Sequence, residues 1–200
     1  MEISTILRMY AKEQDLLKTG RFGQGLWPVD MSIGQFMEYV IRFYGLKRGI
    51  EVGAGVGMST GWLVSGFLVT GGKLTSFEYF PPKVEQWEKN FKKYLDVGAQ
   101  NFEPVQLVPA DMAKWLKHAG REKFDFVFFD QRKSNYFQHL QLILPKLKKG
   151  AIICADNVLS HPEPCQDYLD FVRTNKHFES VCLEIGAGLE VSRYLGGLVY

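Results

Sequence analysis

The sequence predicts a single α/β domain in which a mainly parallel sheet carries helices on both faces. Short strand-like apolar runs alternate with helical patterns along most of the chain. Crossovers between parallel strands are right-handed, so the connecting helices fall on both faces of the sheet. Two hundred residues, 46% of them hydrophobic, suffice for one substantial core. We expect one domain over residues 1–200, with a helical extension over 1–45 and the core over 46–200.

The helical segments show apolar residues that recur at every third and fourth position. They cover residues 2–18, 34–45, 58–69, 81–95, 111–120, 134–150 and 162–175. Pro81 and Pro82 open the helix over 81–95, because the first turn of a helix tolerates a missing N–H. Their position predicts where this helix begins.

The strand segments are short apolar or alternating runs between those helices. They cover residues 49–53, 73–79, 103–109, 124–130, 151–156, 178–185 and 189–196. The turn between the last two is too short for a parallel crossover. These two strands are therefore expected to be antiparallel.

Composition excludes several classes of protein. A net charge of +2 gives no electrostatic argument for binding nucleic acid or membranes. Cys154, Cys165 and Cys182 have neither zinc-ligand spacing nor the even number of a disulfide framework. Neither a secretory signal nor a membrane-spanning apolar run is recognisable. We expect a cytoplasmic protein.

A glycine-rich loop, EVGAGVGMS at residues 51–59, follows the first strand of the predicted core. Gly53, Gly55 and Gly57 would let the backbone approach a ligand beyond the carboxyl ends of the strands. The plain alternative is that they only ease a tight turn into a helix. Glu78 ends the second strand, where a carboxylate can accept hydrogen bonds from both hydroxyls of a ribose. This position favours a nucleotide site.

The details of the loop favour S-adenosylmethionine over NAD. A dinucleotide fingerprint would need its third glycine at the position of Met58. Glu51 would direct a negative charge towards the ligand, which suits an ammonium or sulfonium better than a pyrophosphate. Ser59 could donate to the methionine carboxylate or be an ordinary first-turn serine. Asp111 could meet the adenine amine, cap the following helix, or do both.

A second set of polar residues follows the next two strands. Asp130 ends one strand, and Asp156 and Asn157 follow the other. If the strands are neighbours, three hard oxygen ligands converge, which suits Mg²⁺, Mn²⁺ or Ca²⁺ but not zinc. The alternative is that each aspartate only caps the segment after it. Lys133 lies close by in sequence and could accept a proton from a hydroxyl, or could be a solvated surface charge.

These motifs together resemble the metal-dependent class I O-methyltransferases, which include catechol and caffeoyl-CoA O-methyltransferases. The likeness runs from Gly34 to about Gly196. It rests on GQFMEYVIRF, EVGAGVGMS, the strand end at Glu78, DQRKSNY and ADNVL. It implies a Rossmann-like sheet of seven strands with an antiparallel last strand, S-adenosylmethionine as methyl donor, and a homodimer. In the dimer, the helix predicted over 2–18 would cover the active-site mouth or the partner.

The resemblance also implies a role for each matching residue. Glu78 and Asp111 are expected to contact the adenosine, and Gly53 and Ser59 the methionine moiety. Asp130, Asp156 and Asn157 are the expected metal ligands, and Lys133 is the expected catalytic base. To the cofactor contacts we add Glu51, Gly55, Gly57, Tyr79 and Asp130 as predictions of our own, and Asp130 is also expected to take part in catalysis. The chain differs from the family at Arg132, where many bacterial members carry an acid.

The expected activity is methyl transfer to a hydroxyl of a small aromatic acceptor whose two adjacent oxygens chelate the cation. One alternative acceptor is a hydroxylated tRNA base, which the weak net charge supports little. An alternative to enzymatic activity is that the chain is a non-catalytic S-adenosylmethionine-binding protein in which Arg132 displaces the metal.

Overall fold

The strands of the computed structural model follow the predicted alternation with helices over residues 28–95 and 104–197, the residues that the structure describes. In chain order they are β1 (Arg48–Val52), β2 (Lys73–Phe77), β3 (Val105–Val108), β4 (Phe124–Phe129), β5 (Leu147–Asp156), β6 (Phe178–Leu183) and β7 (Leu189–Tyr194). Within the described residues they form one seven-stranded sheet in the order β3-β2-β1-β4-β5-β7-β6.

The helices lie between the strands as expected. They are α1 (Met31–Phe43), α2 (Met58–Thr70), α3 (Pro81–Leu95), α4 (Met112–Leu116), α5 (Tyr136–Ile143) and α6 (Pro162–Thr174), with 3-10 turns at Lys133–Asn135 and Leu144–Lys146. Asp30 caps α1 by accepting a hydrogen bond from the Ser32 amide at 2.8 Å. This cap explains why α1 begins before the predicted start at residue 34.

Strand direction agrees with the prediction. The pairs β1–β2, β1–β4, β2–β3 and β4–β5 are parallel, whereas β7 is antiparallel to both β5 and β6. The short turn before β7 forces the chain to reverse direction. The neighbouring β4 and β5 bring their carboxyl ends to the same edge of the sheet.

Two predicted helices were wrong in part: the one expected over 111–120 ends at Leu116, and the one expected over 134–150 ends at Ile143. Pro145 follows in a 3-10 turn, where its missing N–H and fixed φ stop the α-helix. Leu147 to Gly150 then belong to β5 instead of a charged helix end. The partner of Leu147 in the sheet is Phe124, a long-range pairing that local periodicity does not reveal.

The core has two parts, one on each face of the sheet, and β4 separates them. Phe126 and Phe128 pack with α1, α2 and α3, whereas Val127 and Phe129 pack with α4, α5 and α6. Alternate side chains of a strand point to opposite faces, so a fully buried strand must be apolar throughout. This packing confirms that helices cover both faces.

The helix predicted over 2–18 lies outside the described residues. The dimer and the division into 1–45 and 46–200 therefore stay predictions. The last part of that extension, α1, packs on α2 so closely that a Cβ at Gly34 would lie 2.2 Å from the Trp62 ring. Among the described residues, no helix combines the length and apolar character that crossing a bilayer requires.

Candidate active site

A cavity of about 600 Å³ opens at the carboxyl ends of β1 to β5. This volume lies in the range of small-molecule sites, and the position is where open α/β sheets bind ligands. Its wall includes Gly53, Glu78, Asp111, Asp130, Lys133 and Asn157. The fold therefore brings residues from both predicted sets to one cavity.

Glu78 joins the glycine loop to the end of β2. Its carboxylate accepts hydrogen bonds from the backbone amides of Gly55 at 3.0 Å, Tyr79 at 2.8 Å and Phe80 at 2.9 Å. Each carboxylate oxygen can accept more than one hydrogen bond, so acceptor capacity remains for a ligand. Tyr79 also lines the cavity and is 69% exposed.

The glycines of the loop serve different purposes. Gly53 has φ +96°, and a Cβ there would lie 2.4 Å from the backbone oxygen of Asp130. Gly57 has φ +102° and does not line the cavity; a Cβ there would lie 2.3 Å from the Phe91 ring. Gly53 thus lets β1 and β4 meet at the site, and Gly57 lets α3 pack beneath the loop.

We expected Glu51 to face the ligand, but its side chain does not face the cavity. It is fully buried and accepts hydrogen bonds from the hydroxyls of Ser59 at 2.5 Å, Thr60 at 2.6 Å and Ser76 at 2.6 Å. Burial raises the pKa of this carboxyl group, and the three hydroxyls oppose the rise. Glu51 therefore ties β1, β2 and α2 together below the loop. Ser59 borders the cavity, although its hydroxyl points at Glu51.

Asp111 confirms the capping alternative and also lines the cavity. One of its oxygens accepts a hydrogen bond from the Ala113 amide at 2.7 Å at the start of α4. Among the described residues, the structure records no hydrogen-bond partner for its second oxygen. Helix capping therefore leaves this oxygen available to a ligand.

An ion pair forms part of the cavity wall. Lys133 Nζ donates to Asp130 Oδ1 at 2.9 Å, and both side chains are largely shielded from solvent. The same ammonium lies 5.8 Å above the Tyr136 ring. The Tyr136 hydroxyl donates to the backbone oxygen of Asp156 at 3.0 Å. The turn after β4 is thereby attached to the end of β5.

Asp156 and Asn157 complete this part of the site. Asp156 is buried beside the cavity wall and accepts a hydrogen bond from the Asn157 amide at 2.7 Å. Asn157 lines the cavity with φ +65°, a left-handed conformation that asparagine adopts more readily than most residues. Such a residue at a cavity edge is typical of a functional site.

The two acids influence each other electrostatically. Burial raises the pKa of Asp130, although Lys133 and Lys83 oppose the rise. Burial and then the charge of Asp130 raise the pKa of Asp156 to about 7. Within the described residues, no three or more His, Cys, Asp or Glu side chains converge on one point. A cation site here would therefore need the Asn157 amide as its third protein ligand.

Comparison with known proteins identifies the family. Residues 8–179 match the family profile described as O-methyltransferase. The chain belongs to the O-methyltransferase family. It is 28% identical over 171 residues to catechol O-methyltransferase B of Danio rerio, covering 82% of this chain and 61% of that protein. It is 28% identical over 131 residues to the catechol O-methyltransferase of Mycobacterium tuberculosis, covering 66% and 57%. The chain thus spans about three fifths of the length of these relatives.

Solved structures confirm the Rossmann-like methyltransferase fold. The O-methyltransferase from Bacillus cereus, solved with S-adenosylhomocysteine, has a TM-score of 0.78 at 18% identity, covering 97% of this chain and 92% of that one. The Podospora anserina methyltransferase PaMTH1, also bound to S-adenosylhomocysteine, has a TM-score of 0.79 at 19% identity, covering 95% and 87%. At such identities the likeness concerns the fold alone.

The cavity of this O-methyltransferase family member includes a pair that sequence reasoning missed. The Gln131 side-chain nitrogen lies 2.7 Å from His139 Nδ1, and both residues line the cavity. Burial lowers the pKa of His139 below its ordinary value. Gln131 lies within DQRKSNY, and His139 is three residues after Tyr136 on the same face of α5. The three-residue interval from Tyr136 to His139 is the sequence signal that could have placed His139 on the buried face of this helix.

Proposed function

We propose that this chain transfers a methyl group from S-adenosylmethionine to a hydroxyl of a small catechol-like acceptor, with the help of a divalent cation. The observation that carries the proposal is the Asp130–Lys133 ion pair, which opens on the same cavity as the glycine loop and Glu78. Family membership over residues 8–179 supports the reaction class.

The methyl donor would bind along the ends of β1, β2 and β3. Gly53 and Gly55 leave room for the donor because they carry no side chain. Glu78 would accept hydrogen bonds from the ribose hydroxyls, and Asp111 would meet the adenine. The amides of Gly53 and Gly55 already donate within the protein, to Phe77 and Glu78. The loop therefore contributes shape, and the acids contribute recognition.

Lys133 would act as the base. Its amine, once neutral, would accept the proton of the acceptor hydroxyl, and the resulting oxygen would attack the methyl carbon of the sulfonium. Asp130 and the Tyr136 ring hold the amine on the cavity wall. The proton moves to nitrogen and the methyl group to oxygen, and S-adenosylhomocysteine leaves.

The side chains present fit a hard divalent cation. Asp130, Asp156 and Asn157 offer only oxygen donors, the ligands that Mg²⁺, Mn²⁺ and Ca²⁺ prefer. Two interacting buried carboxyl groups would also gain from a positive charge between them. When bound, such a cation would orient the two acceptor oxygens and make the hydroxyl more acidic. Arg132 also lines this cavity and adds a positive charge to it.

Methylation of catechol and 3,4-dihydroxybenzoate with labelled S-adenosylmethionine tests the proposal. EDTA should abolish turnover, and Mg²⁺ or Mn²⁺ should restore it. Asp156→Ala should lose cation binding together with activity, while donor binding survives. Lys133→Ala should still bind the cation but lose about 10²–10⁴-fold in turnover.

Lys148→Ala is the matched control, because Lys148 forms an ion pair with Asp125 at 2.7 Å at the start of β5, away from the cavity. It should keep its turnover. Full activity of metal-free protein would refute the role of the cation. Donor binding without turnover on any acceptor would favour the non-catalytic alternative.

A further inference from the structure

The Gln131–His139 pair contains a buried polar atom that the proposed reaction does not use. Gln131 Oε1 is shielded from solvent and has no hydrogen-bond partner among the described residues. Buried carbonyl oxygens are rarely left unpaired, because water loss without a replacement bond is unfavourable. Because Gln131 lines a ligand cavity, a donor group on a bound ligand is one partner that can satisfy this oxygen.

His139 determines the orientation of the Gln131 side-chain amide, and therefore that the unpaired atom is the oxygen. Its ring is buried on α5, and its Nδ1 lies 2.7 Å from the Gln131 nitrogen. A neutral ring with an unprotonated Nδ1 accepts that N–H, which leaves Oε1 as the free end of the amide. The lowered pKa of His139 agrees with a neutral ring. His139 is therefore a positioning residue for Gln131.

A second acceptor lies at the same end of the cavity. The Asp111 carboxylate is close enough to His139 to interact with its ring electrostatically. Asp111 uses one oxygen to cap α4 and has no recorded hydrogen-bond partner for the other within the described residues. Gln131 and Asp111, both next to His139, thus offer two hydrogen-bond acceptors to the cavity that Glu78 also lines.

We infer that Gln131 Oε1 and Asp111 each accept one N–H of the exocyclic amine of the donor's adenine, and that His139 holds the Gln131 amide in the required orientation. This inference rests on the proposed function, which supplies the adenosyl donor. It makes Gln131 a residue that selects adenine, because an amine carries two hydrogens where a carbonyl carries none.

The test compares the binding of S-adenosylhomocysteine and S-inosylhomocysteine by calorimetry, since the second ligand has a carbonyl in place of the amine. The parent chain should prefer the adenine compound. Gln131→Met should bind S-adenosylhomocysteine about 2–10-fold more weakly, the range expected for one neutral hydrogen bond. The preference of Gln131→Met for S-adenosylhomocysteine over S-inosylhomocysteine should be about tenfold smaller than that of the parent chain.

Further variants separate recognition from folding. Gln131→Glu retains an acceptor and should retain the preference, whereas His139→Phe frees the amide to rotate and should reduce it. Gln138→Met changes the same residue type at an exposed position on α5 and should behave as the parent. An unchanged preference in Gln131→Met, or a parent chain that prefers the inosine compound, overturns the inference alone. A parent chain that binds neither compound overturns the donor assignment and the inference with it.

Discussion

Replacing Gly57 by alanine should destabilise the protein far more than the same change at Gly55. A Cβ at Gly57 would lie 2.3 Å from the Phe91 ring and 3.0 Å from the Trp87 ring, at φ +102°. Neither ring can retreat easily, because both are fully buried and stacked with centroids 4.3 Å apart. The Trp87 ring nitrogen also donates to the Thr60 hydroxyl at 3.0 Å.

The magnitude follows from two contributions. A non-glycine residue in the left-handed region costs about 1–2 kcal/mol. Forcing an additional carbon into a packed core costs about 1–3 kcal/mol more. Gly57→Ala should therefore lose about 2–5 kcal/mol of unfolding free energy. Gly55 has φ +56°, and a Cβ there would meet nothing within 4 Å among the described residues, so only the first contribution applies.

Chemical denaturation of both variants and the parent measures the difference in unfolding free energy. Affinity for the methyl donor, measured on the folded variants, should fall more in Gly55→Ala than in Gly57→Ala, since Gly55 lines the cavity and Gly57 does not. If Gly57→Ala is no less stable than Gly55→Ala, the packing role that we assign to Gly57 is wrong.

Two further predictions concern buried ionisable groups. Burial lowers the pKa of His139 from 6.5, so the unfolded chain binds a proton that the folded chain resists; this contribution to stability is present above pH 6.5 and lost as the pH falls through the lowered pKa. Denaturation between pH 7 and 5 should show a shallower loss for His139→Gln, by at most about 1.4 kcal/mol per pH unit, with the exposed His118→Gln unchanged as control. Arg173→Met should lose about 3 kcal/mol because Glu190, fully buried and bonded to Arg173 at 2.6 and 2.9 Å, would keep an unpaired charge. Arg193→Met is the control, because Arg193 forms an exposed ion pair with Glu179, and it should change stability by less than about 1 kcal/mol. Equal losses of stability in Arg173→Met and Arg193→Met would contradict the argument.

Local patterns predicted most of the fold because the sheet is buried on both faces. The apolar runs of β1 and β4 and the helical periods between strands are local properties, so they indicate each element and the parallel order of the first five strands. The first residues of β5 escaped prediction because their place depends on pairing with Phe124, far away in sequence. The polar run around Lys148 and Lys149 resembles a helix end when read alone.

The residue types of the candidate site could be predicted from the sequence, but the direction in which each side chain points could not always be predicted. Residues at strand ends, such as Glu78 and Asp130, reach the cavity because the chain turns there. Glu51 lies one residue inside β1, where its side chain must point to a face of the sheet. Its neighbour on β2 is Ser76, which donates to it. Only the register of two strands reveals that partner.

The spacing of DQRKSNY follows from the two jobs that this turn performs at once. The 3-10 turn Lys133–Asn135 brings Lys133 back over Asp130, three residues before it. It also starts α5 so that Tyr136, three residues later, points inwards beneath the Lys133 ammonium and reaches the backbone of Asp156. The acid and the base are therefore positioned relative to the end of β5 by one buried hydroxyl. A change in the length of this turn would separate all three at once, because a single short segment carries each of these contacts.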